Sequence, residues 1–302
     1  MINTLDLNFQ GVEKAIASFL IETSEGPVLI ETGPYSCFEK LKELVADCQY
    51  DITDIKHVFI THIHLDHAGG AWALARHGAT IYLHPFGVSH MADPAKLWKS
   101  AKLIYGDKME LLWGKMEPIN ADRLHPVEHG VDVKVGDLTL KAWHTPGHAN
   151  HHIVWQVGPE MFCGDVSGVK IGKGPVVPPC PPPDINLEKW EQSISLIKDL
   201  KPEKLHLTHF GEVLNINEHL DELSGILTSW ANWIKPRFDN NELPDEVIPE
   251  FQKFTWQQLR ALGLGDREIN QYETANPSWM SVAGLMRYWK KRQEAEQQAN
   301  PL

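Results

Sequence analysis

A layered α/β fold is what the 302-residue sequence predicts, and three observations carry that prediction. Short apolar runs alternate with segments at helical spacing from Ala15 to Leu83, in the order ββαβαβ. A second set of short strands begins at Val131, after a helical interruption. The composition, 42% hydrophobic and 23% charged, is ordinary for a globular chain long enough for one large domain or one domain with an appendage.

The elements follow in order. Ala15 to Ile21 and Val28 to Ile30 read as strands around the turn Ser24-Glu25-Gly26-Pro27, since glycine and proline interrupt regular structure. Cys37 to Cys48 places Phe38, Leu41, Leu44 and Val45 at helical spacing. His57 to Ile60 is a short apolar strand, Gly69 to His77 a helix, and Thr80 to Leu83 the next strand. Residues 85–125 break the rhythm and read as a helical insertion covering one edge of the sheet. Its Trp98, Tyr105 and Trp113 are candidates for lining a substrate pocket, although aromatic residues at such spacing more often belong to a core.

Val131 to Val135 and Leu138 to Trp143 form a hairpin across Gly136-Asp137. Strands are expected at His152 to Val157 and Met161 to Cys163. The run Gly174 to Pro183 is too rich in proline for a central strand or helix, because proline lacks the N–H and fixes φ. It reads either as a stiff wall beside a pocket or as a plain connector. A helix at Leu187 to Leu200, a strand at Lys204 to Thr208 and a helix from Asn217 to Pro236 complete a main domain of residues 1–235. Residues 236–302 read as a helical C-terminal extension, with Val282, Leu285, Met286 and Trp289 on one helix face. Packing over the pocket and contact with a second subunit, as in a homodimer, are both open for it.

The net charge of −12 argues against nucleic acid as a partner, because phosphate contacts need clustered Lys and Arg. No run reaches the roughly 18 apolar residues of a membrane helix, and Met1 to Gln10 has no basic start followed by an apolar run. The four cysteines show no CxxC spacing, which fits a reducing compartment. A cytoplasmic protein acting on a small molecule is the expectation.

Sixteen histidines are the compositional oddity. Four chemistry-bearing residues fall in one run, Thr61-His62-Ile63-His64-Leu65-Asp66-His67, directly after a strand. At i and i+2 on extended backbone, His62 and His64 point the same way and reach one ion. Three imidazoles and a carboxylate suit zinc, iron or manganese. Three further candidates also follow strands: His148 in Thr145-Pro146-Gly147-His148, Asp165 in Cys163-Gly164-Asp165, and His209 after Thr208. Strand ends at one sheet edge converge, so these seven residues are enough for two ions sharing a carboxylate.

This pattern, H-x-H-x-D-H followed by a distant His, Asp and His, resembles the metallo-β-lactamase superfamily over roughly residues 12–235. The resemblance implies a four-layer αββα sandwich. It implies that His62, His64 and His148 hold one metal, that Asp66, His67 and His209 hold a second, and that Asp165 bridges them. The cofactors implied are two divalent ions, zinc foremost, with iron or manganese as alternatives. One departure stands out: where the family usually has Asp-Thr-Gly, this chain has Glu31-Thr32-Gly33. Glu31 reads either as the partner behind the histidine run, orienting the ligands with a geometry shifted by its extra methylene, or as a buried acid with another partner, and the first reading is the one preferred.

Two such ions activate a hydroxide, and Asp66 is the expected acceptor of the nucleophile's proton. Thr-His-x-His-x-Asp-His-Ala-Gly-Gly and Thr-Pro-Gly-His resemble glyoxalase II and lactonase-like members, which cleave thioesters or lactones. The expected function is hydrolysis of a small ester, thioester or lactone. The alternatives are a mononuclear-iron persulfide dioxygenase, using the equivalents of His62, His64 and His148, and a metal-dependent phosphodiesterase.

Overall fold

In the computed structural model, which describes residues 1–299, two six-stranded sheets face each other with helices outside both. The first sheet runs in order β1 (Ile2–Asp6), β2 (Ala17–Thr23), β3 (Gly26–Ile30), β4 (His57–Phe59), β5 (Thr80–Leu83) and β6 (Leu124–Pro126). Its pairs are antiparallel from β1 to β3 and parallel from β3 to β6. Parallel neighbours need crossovers. These are α1 (Phe38–Asp47), then α2 (Leu65–Ala68) with α3 (Ala71–Arg76), then the insertion helices α4 (Pro85–Ala92), α5 (Ala95–Tyr105) and α6 (Met109–Trp113).

The second sheet holds β7 (Asp132–Val135), β8 (Leu138–His144), β9 (Ile153–Val157), β10 (Glu160–Phe162), β11 (Lys204–Leu207) and β12 (Gly211–Val213), side by side in that order. Only the β10–β11 pair is parallel, and α7 (Leu187–Asp199) crosses between its strands. Four helices end the described chain: α8 (Ile216–Asp239), α9 (Pro244–Ala261), α10 (Asp266–Ala275) and α11 (Ser278–Ala299).

Strand periodicity explains the layering. Ala17, Phe19 and Ile21 of β2, Val28 and Ile30 of β3 and Phe59 of β4 face the space between the sheets. There they meet Leu140, Ala142, Ile153, Trp155 and Phe162 of the second sheet. The alternate residues Leu20, Leu29 and Val58 face outward and are covered by helices, so these strands read as nearly continuous apolar runs. The expected four-layer αββα sandwich is present. No helix among the described residues is long and apolar enough to cross a membrane.

Three strands escape the sequence reading. β1, β6 and β12 are edge strands, paired on one side only. They are short or interrupted by polar residues and Pro126, so the alternation is too brief to read. The insertion also differs from expectation. β6 itself supplies the sheet edge, while α5 and α6 stand over the strand ends, where Leu112 O accepts from Ser36 Oγ at 2.5 Å. The boundary expected at residue 235 falls inside α8, which continues to Asp239 because Leu227, Trp230, Ala231 and Ile234 extend its buried stripe.

α8 is tied to the loop that follows β10 by His219, whose Nε2 donates to Ser167 O at 2.8 Å. Burial depresses its pKa to about 4, against the opposing pull of the Ser167 carbonyl. Between that value and the ordinary 6.5 the unfolded chain binds the extra proton, so folding weakens as pH falls through this window. The shift corresponds to roughly 3 kcal/mol. His219→Gln keeps a donor but cannot titrate, and urea unfolding from pH 7 to pH 4.5 should show a correspondingly shallower loss of stability than in the parent.

Candidate metal centre

The histidine run leaves β4 on extended backbone, with His64 at φ −63° and ψ 152°, and then enters α2, which carries Asp66 and His67. His148, Asp165 and His209 arrive after β8, β10 and β11 of the other sheet. The convergence therefore joins the ends of two facing sheets, where the sequence reading placed it on one sheet edge. Backbone bonds lock the two ends together: Ile153 N–H donates to Thr61 O at 2.7 Å and Ala17 N–H to Thr208 O at 2.8 Å. All seven expected residues meet, as a group of His62, His64, His148 and Asp165 and a group of Asp66, His67 and His209.

In the first group His62 Nε2 and His148 Nε2 lie 2.9 and 3.0 Å from His64 Nδ1, and His148 Nε2 lies 3.1 Å from Asp165 Oδ2. In the second, His67 Nε2 and His209 Nε2 lie 3.6 and 3.5 Å from Asp66 Oδ2. The same two nitrogens lie 3.2 and 3.3 Å from Asp165 Oδ1. Each oxygen of Asp165 thus faces a different group.

The opposite ring nitrogens fix the tautomers. His67 Nδ1–H donates to Glu31 Oε1 at 3.0 Å, His148 Nδ1–H to Pro179 O at 2.9 Å and His209 Nδ1–H to Ala15 O at 2.6 Å. Thr61 Oγ1–H donates to Glu31 Oε1 at 2.5 Å, so Thr61 Oγ1 accepts from His62 Nδ1–H at 3.0 Å. Four Nε2 atoms therefore present bare lone pairs. Among the described residues, His67 Nε2, His209 Nε2 and Asp165 Oδ1 are fully buried without a hydrogen-bond partner. Buried polar atoms normally have partners, so three orphans facing one another are what a cation site looks like without its ion. Tetrahedral ligands at 2.0–2.1 Å stand roughly 3.3 Å apart, which matches the separations found. The donor set fits a divalent metal.

Glu31 occupies the position expected for it. It is fully buried, takes a left-handed φ of 62°, and also accepts from Thr61 N–H at 3.3 Å. Its carboxylate serves both groups, directly through His67 and through Thr61 for His62. Thr61 and Pro179 were not singled out by the sequence. The first sits beside the histidines, but the second is 31 residues from His148 and carries no local signal.

Burial and the neighbouring histidines hold the His62 imidazole well below its usual range, and burial brings His64 down to about 4. Burial works to raise Asp66, but His67 and His209 outweigh it and bring the carboxyl down to about 2. Asp165 is held well below the carboxylate range in the same way. The acids are thus held ionised and the rings of the first group neutral, the forms that bind metal, whereas the carboxylates facing His67 and His209 raise those two rings.

A cavity of about 980 Å³ opens onto His64, Asp66 and Asp165. Tyr105 and Trp113 line it as expected, but Trp98 does not; it is half-buried against the outer core on the neighbouring side of α5. The C-terminal extension supplies the opposite wall, including Asn276, Trp279 and Met280. Tyr105 bridges the two walls, edge-on to Trp279 and donating from Oη to Met280 Sδ at 3.4 Å. The packing alternative for the extension is therefore realised within the chain. His151 also lines the cavity beside His64. His152 does not: it is buried behind Asp165, accepting its N–H at 3.3 Å. His84 packs on His144, away from the cluster.

The sequence profile described as the metallo-beta-lactamase superfamily matches residues 12–209. The chain belongs to this superfamily. It is 28% identical over 212 residues to a metallo-beta-lactamase fold-containing protein of Sulfurisphaera tokodaii, covering 64% of this chain and 78% of the relative. A hydroxyacylglutathione hydrolase of Vibrio cholerae is 31% identical over 118 residues, which span 39% of this chain and only 35% of that enzyme. The crystal structure of a metallo-beta-lactamase family protein from Thermus thermophilus superposes with a TM-score of 0.66 at 17% identity, covering 97% of this chain and 94% of its own. The superfamily's members are mostly hydrolases and typically bind metal, and the His/Asp cluster of this member is the matching feature.

Gly147 shows how tightly this member holds its first group. At φ 138° it favours glycine, and a Cβ there would stand 2.3 Å from Trp190 Cα. Gly147→Ala must displace either α7 or the adjacent His148. We expect a loss of roughly 2–3 kcal/mol of stability in urea unfolding, the usual range for strain combined with overpacking.

Proposed function

We propose that the chain is a metal-dependent hydrolase of a small ester, thioester or lactone. The observation that carries the reading is the meeting of bare nitrogens and carboxylate oxygens in two adjoining groups bridged by Asp165. His62, His64, His148 and Asp165 would hold one divalent ion, and Asp66, His67, His209 and Asp165 a second. Zinc is the first choice for these nitrogen and oxygen donors, with iron or manganese as alternatives. The chemistry such ions would supply is a hydroxide at neutral pH and polarisation of the acyl oxygen.

The chain's own residues do the rest. Asp66 is the acid of the cluster most open to the cavity, its side chain 23% exposed against 5% for Asp165. As an ionised carboxylate it takes the proton of the attacking water at Oδ. His151 Nδ1 accepts from Ile63 N–H at 3.5 Å, which leaves the neutral ring's Nε2–H to hydrogen-bond the leaving group, while the proton held on Asp66 is the one the leaving group takes. Phe9, Leu97, Ile104, Trp113, Trp279 and Met280 give the cavity an apolar body, and its volume lies at the upper end of the small-ligand range. An acyl compound with an apolar portion suits such walls. The relative named for cleaving hydroxyacylglutathione, an acyl group carried on a thiol, supports the thioester arm. A single-iron oxygenase would need only the first group, and the completed second group favours the paired-metal reading.

Metal analysis of purified protein should give two ions per chain, and a panel of thioesters, lactones, esters and phosphodiesters should show hydrolysis of an acyl substrate. Asp66→Ala should lower kcat at least about 100-fold. One iron per chain with oxygen uptake on a persulfide would overturn the proposal, and phosphodiester cleavage alone would replace its substrate class. Glu31→Gln preserves shape but offers an amide where four donors converge. Zinc affinity measured by chelator competition should weaken 10–100-fold.

A further inference from the structure

We infer that the two C-terminal helices, α10 and α11, are a positioning device for the metal ligand His148, acting through the proline-rich loop. The inference rests on the metal-hydrolase reading above. His148 turns its Nε2 into the centre because its Nδ1–H is bound by Pro179 O at 2.9 Å. That carbonyl lies in a segment, Gly174–Pro181, that is buried throughout although it contains no helix or strand. Pro175, Pro178, Pro179 and Pro181 have no N–H, so the segment cannot hold itself in a ladder. Its one bridge pairs Val177 with Val169.

Two of its carbonyls, Pro175 O and Pro178 O, are held from the C-terminal side. Tyr272 of α10 accepts from Ile171 N–H at 3.1 Å and donates to Pro175 O at 2.7 Å. Asn276, between α10 and α11, donates from Nδ2 to Pro178 O at 3.2 Å. Gly284 of α11 lies directly on the next turn of the loop, where a Cβ would stand 1.9 Å from Cys180 O and 2.8 Å from Cys180 C. Lys291 Nζ and Arg287 Nε reach Pro183 O at 2.6 and 3.3 Å. Pro178 O and Cys180 O face the C-terminal helices, while Pro179 O, between them, faces His148. The helices fix that carbonyl by gripping both of its neighbours.

The tail is thus part of the metal centre, not only a wall of its cavity. Outer partners of a metal-bound histidine set ring orientation and ligand basicity, and their loss usually costs 10–100-fold in metal affinity. Asn276 and Gly284 are the positioning residues through which this occurs.

The test uses the full chain with zinc and cobalt as probes. Asn276→Ala deletes the contact to Pro178 without overfilling, and Gly284→Ala drives Cys180 O away. Trp289→Phe is the comparison variant: it loses the Nε1 bond to Ala231 O at 2.9 Å, which ties α11 to α8 without touching the loop. Chelator competition should show roughly tenfold weaker zinc binding at one of two sites in Asn276→Ala and Gly284→Ala, with the visible spectrum of the cobalt protein altered. Trp289→Phe should keep both affinity and spectrum, whatever its melting temperature. Unchanged zinc affinity and cobalt spectrum in Asn276→Ala would sink the inference, as would equal weakening in Trp289→Phe. Should Gly284→Ala fail to fold, Asn276→Ala decides alone. Failure of the parent protein itself to bind metal would instead overturn the hydrolase reading.

Discussion

A fully buried carboxylate is stable only where donors surround it, and Glu31 has them from both halves of the molecule. Thr61 reaches it with hydroxyl and N–H from the end of β4, and His67 with Nδ1–H from α2. From the end of β11 in the facing sheet, Thr208 Oγ1 approaches to 3.5 Å. This one group fixes the tautomer of His67, orders Thr61 so that it fixes His62, and sits where the two sheets meet. Remove its charge and the lone pairs of two rings lose their direction. The extra methylene of glutamate, together with a left-handed backbone at φ 62°, is how a longer acid fits this position.

The second constraint is desolvation. Burial keeps the rings of His62, His64 and His148 neutral, whereas His67 and His209 are pulled the other way by the carboxylates they face; Asp165 and Asp66 bring His209 up to about 9 against its burial. Metal-free, the cluster is a set of competing charges. A divalent ion in each group would replace that competition with bonds, which is why the arrangement makes physical sense as a metal centre. Around it, α5 and α6 on one side and α10 and α11 on the other close a cavity that neither half could form alone.

Much of this was legible beforehand. Strands β2 to β5 and β9 to β11 announced themselves as apolar runs between turns because both sheet faces are covered, and β7 and β8 as a hairpin about Gly136-Asp137. The seven cluster residues were legible because each follows a strand and each is a residue type that binds metal. What was not legible had weak local signals: the edge strands β1, β6 and β12, the idle orientation of Trp98, and the role of Pro179.

By itself, then, the sequence determined the inner strands, the donor types and their order, because strand periodicity and ligand chemistry are local properties. Only the tertiary structure decided that the donors come from two sheets, that Glu31 serves both groups, and that the C-terminal helices hold the carbonyl behind His148. Those are contacts between residues far apart in the chain: 177 positions separate Glu31 from Thr208, and 98 separate Pro178 from Asn276. No periodicity or spacing encodes such pairs. They exist because burial leaves each polar atom to find whichever partner the packing brings within reach.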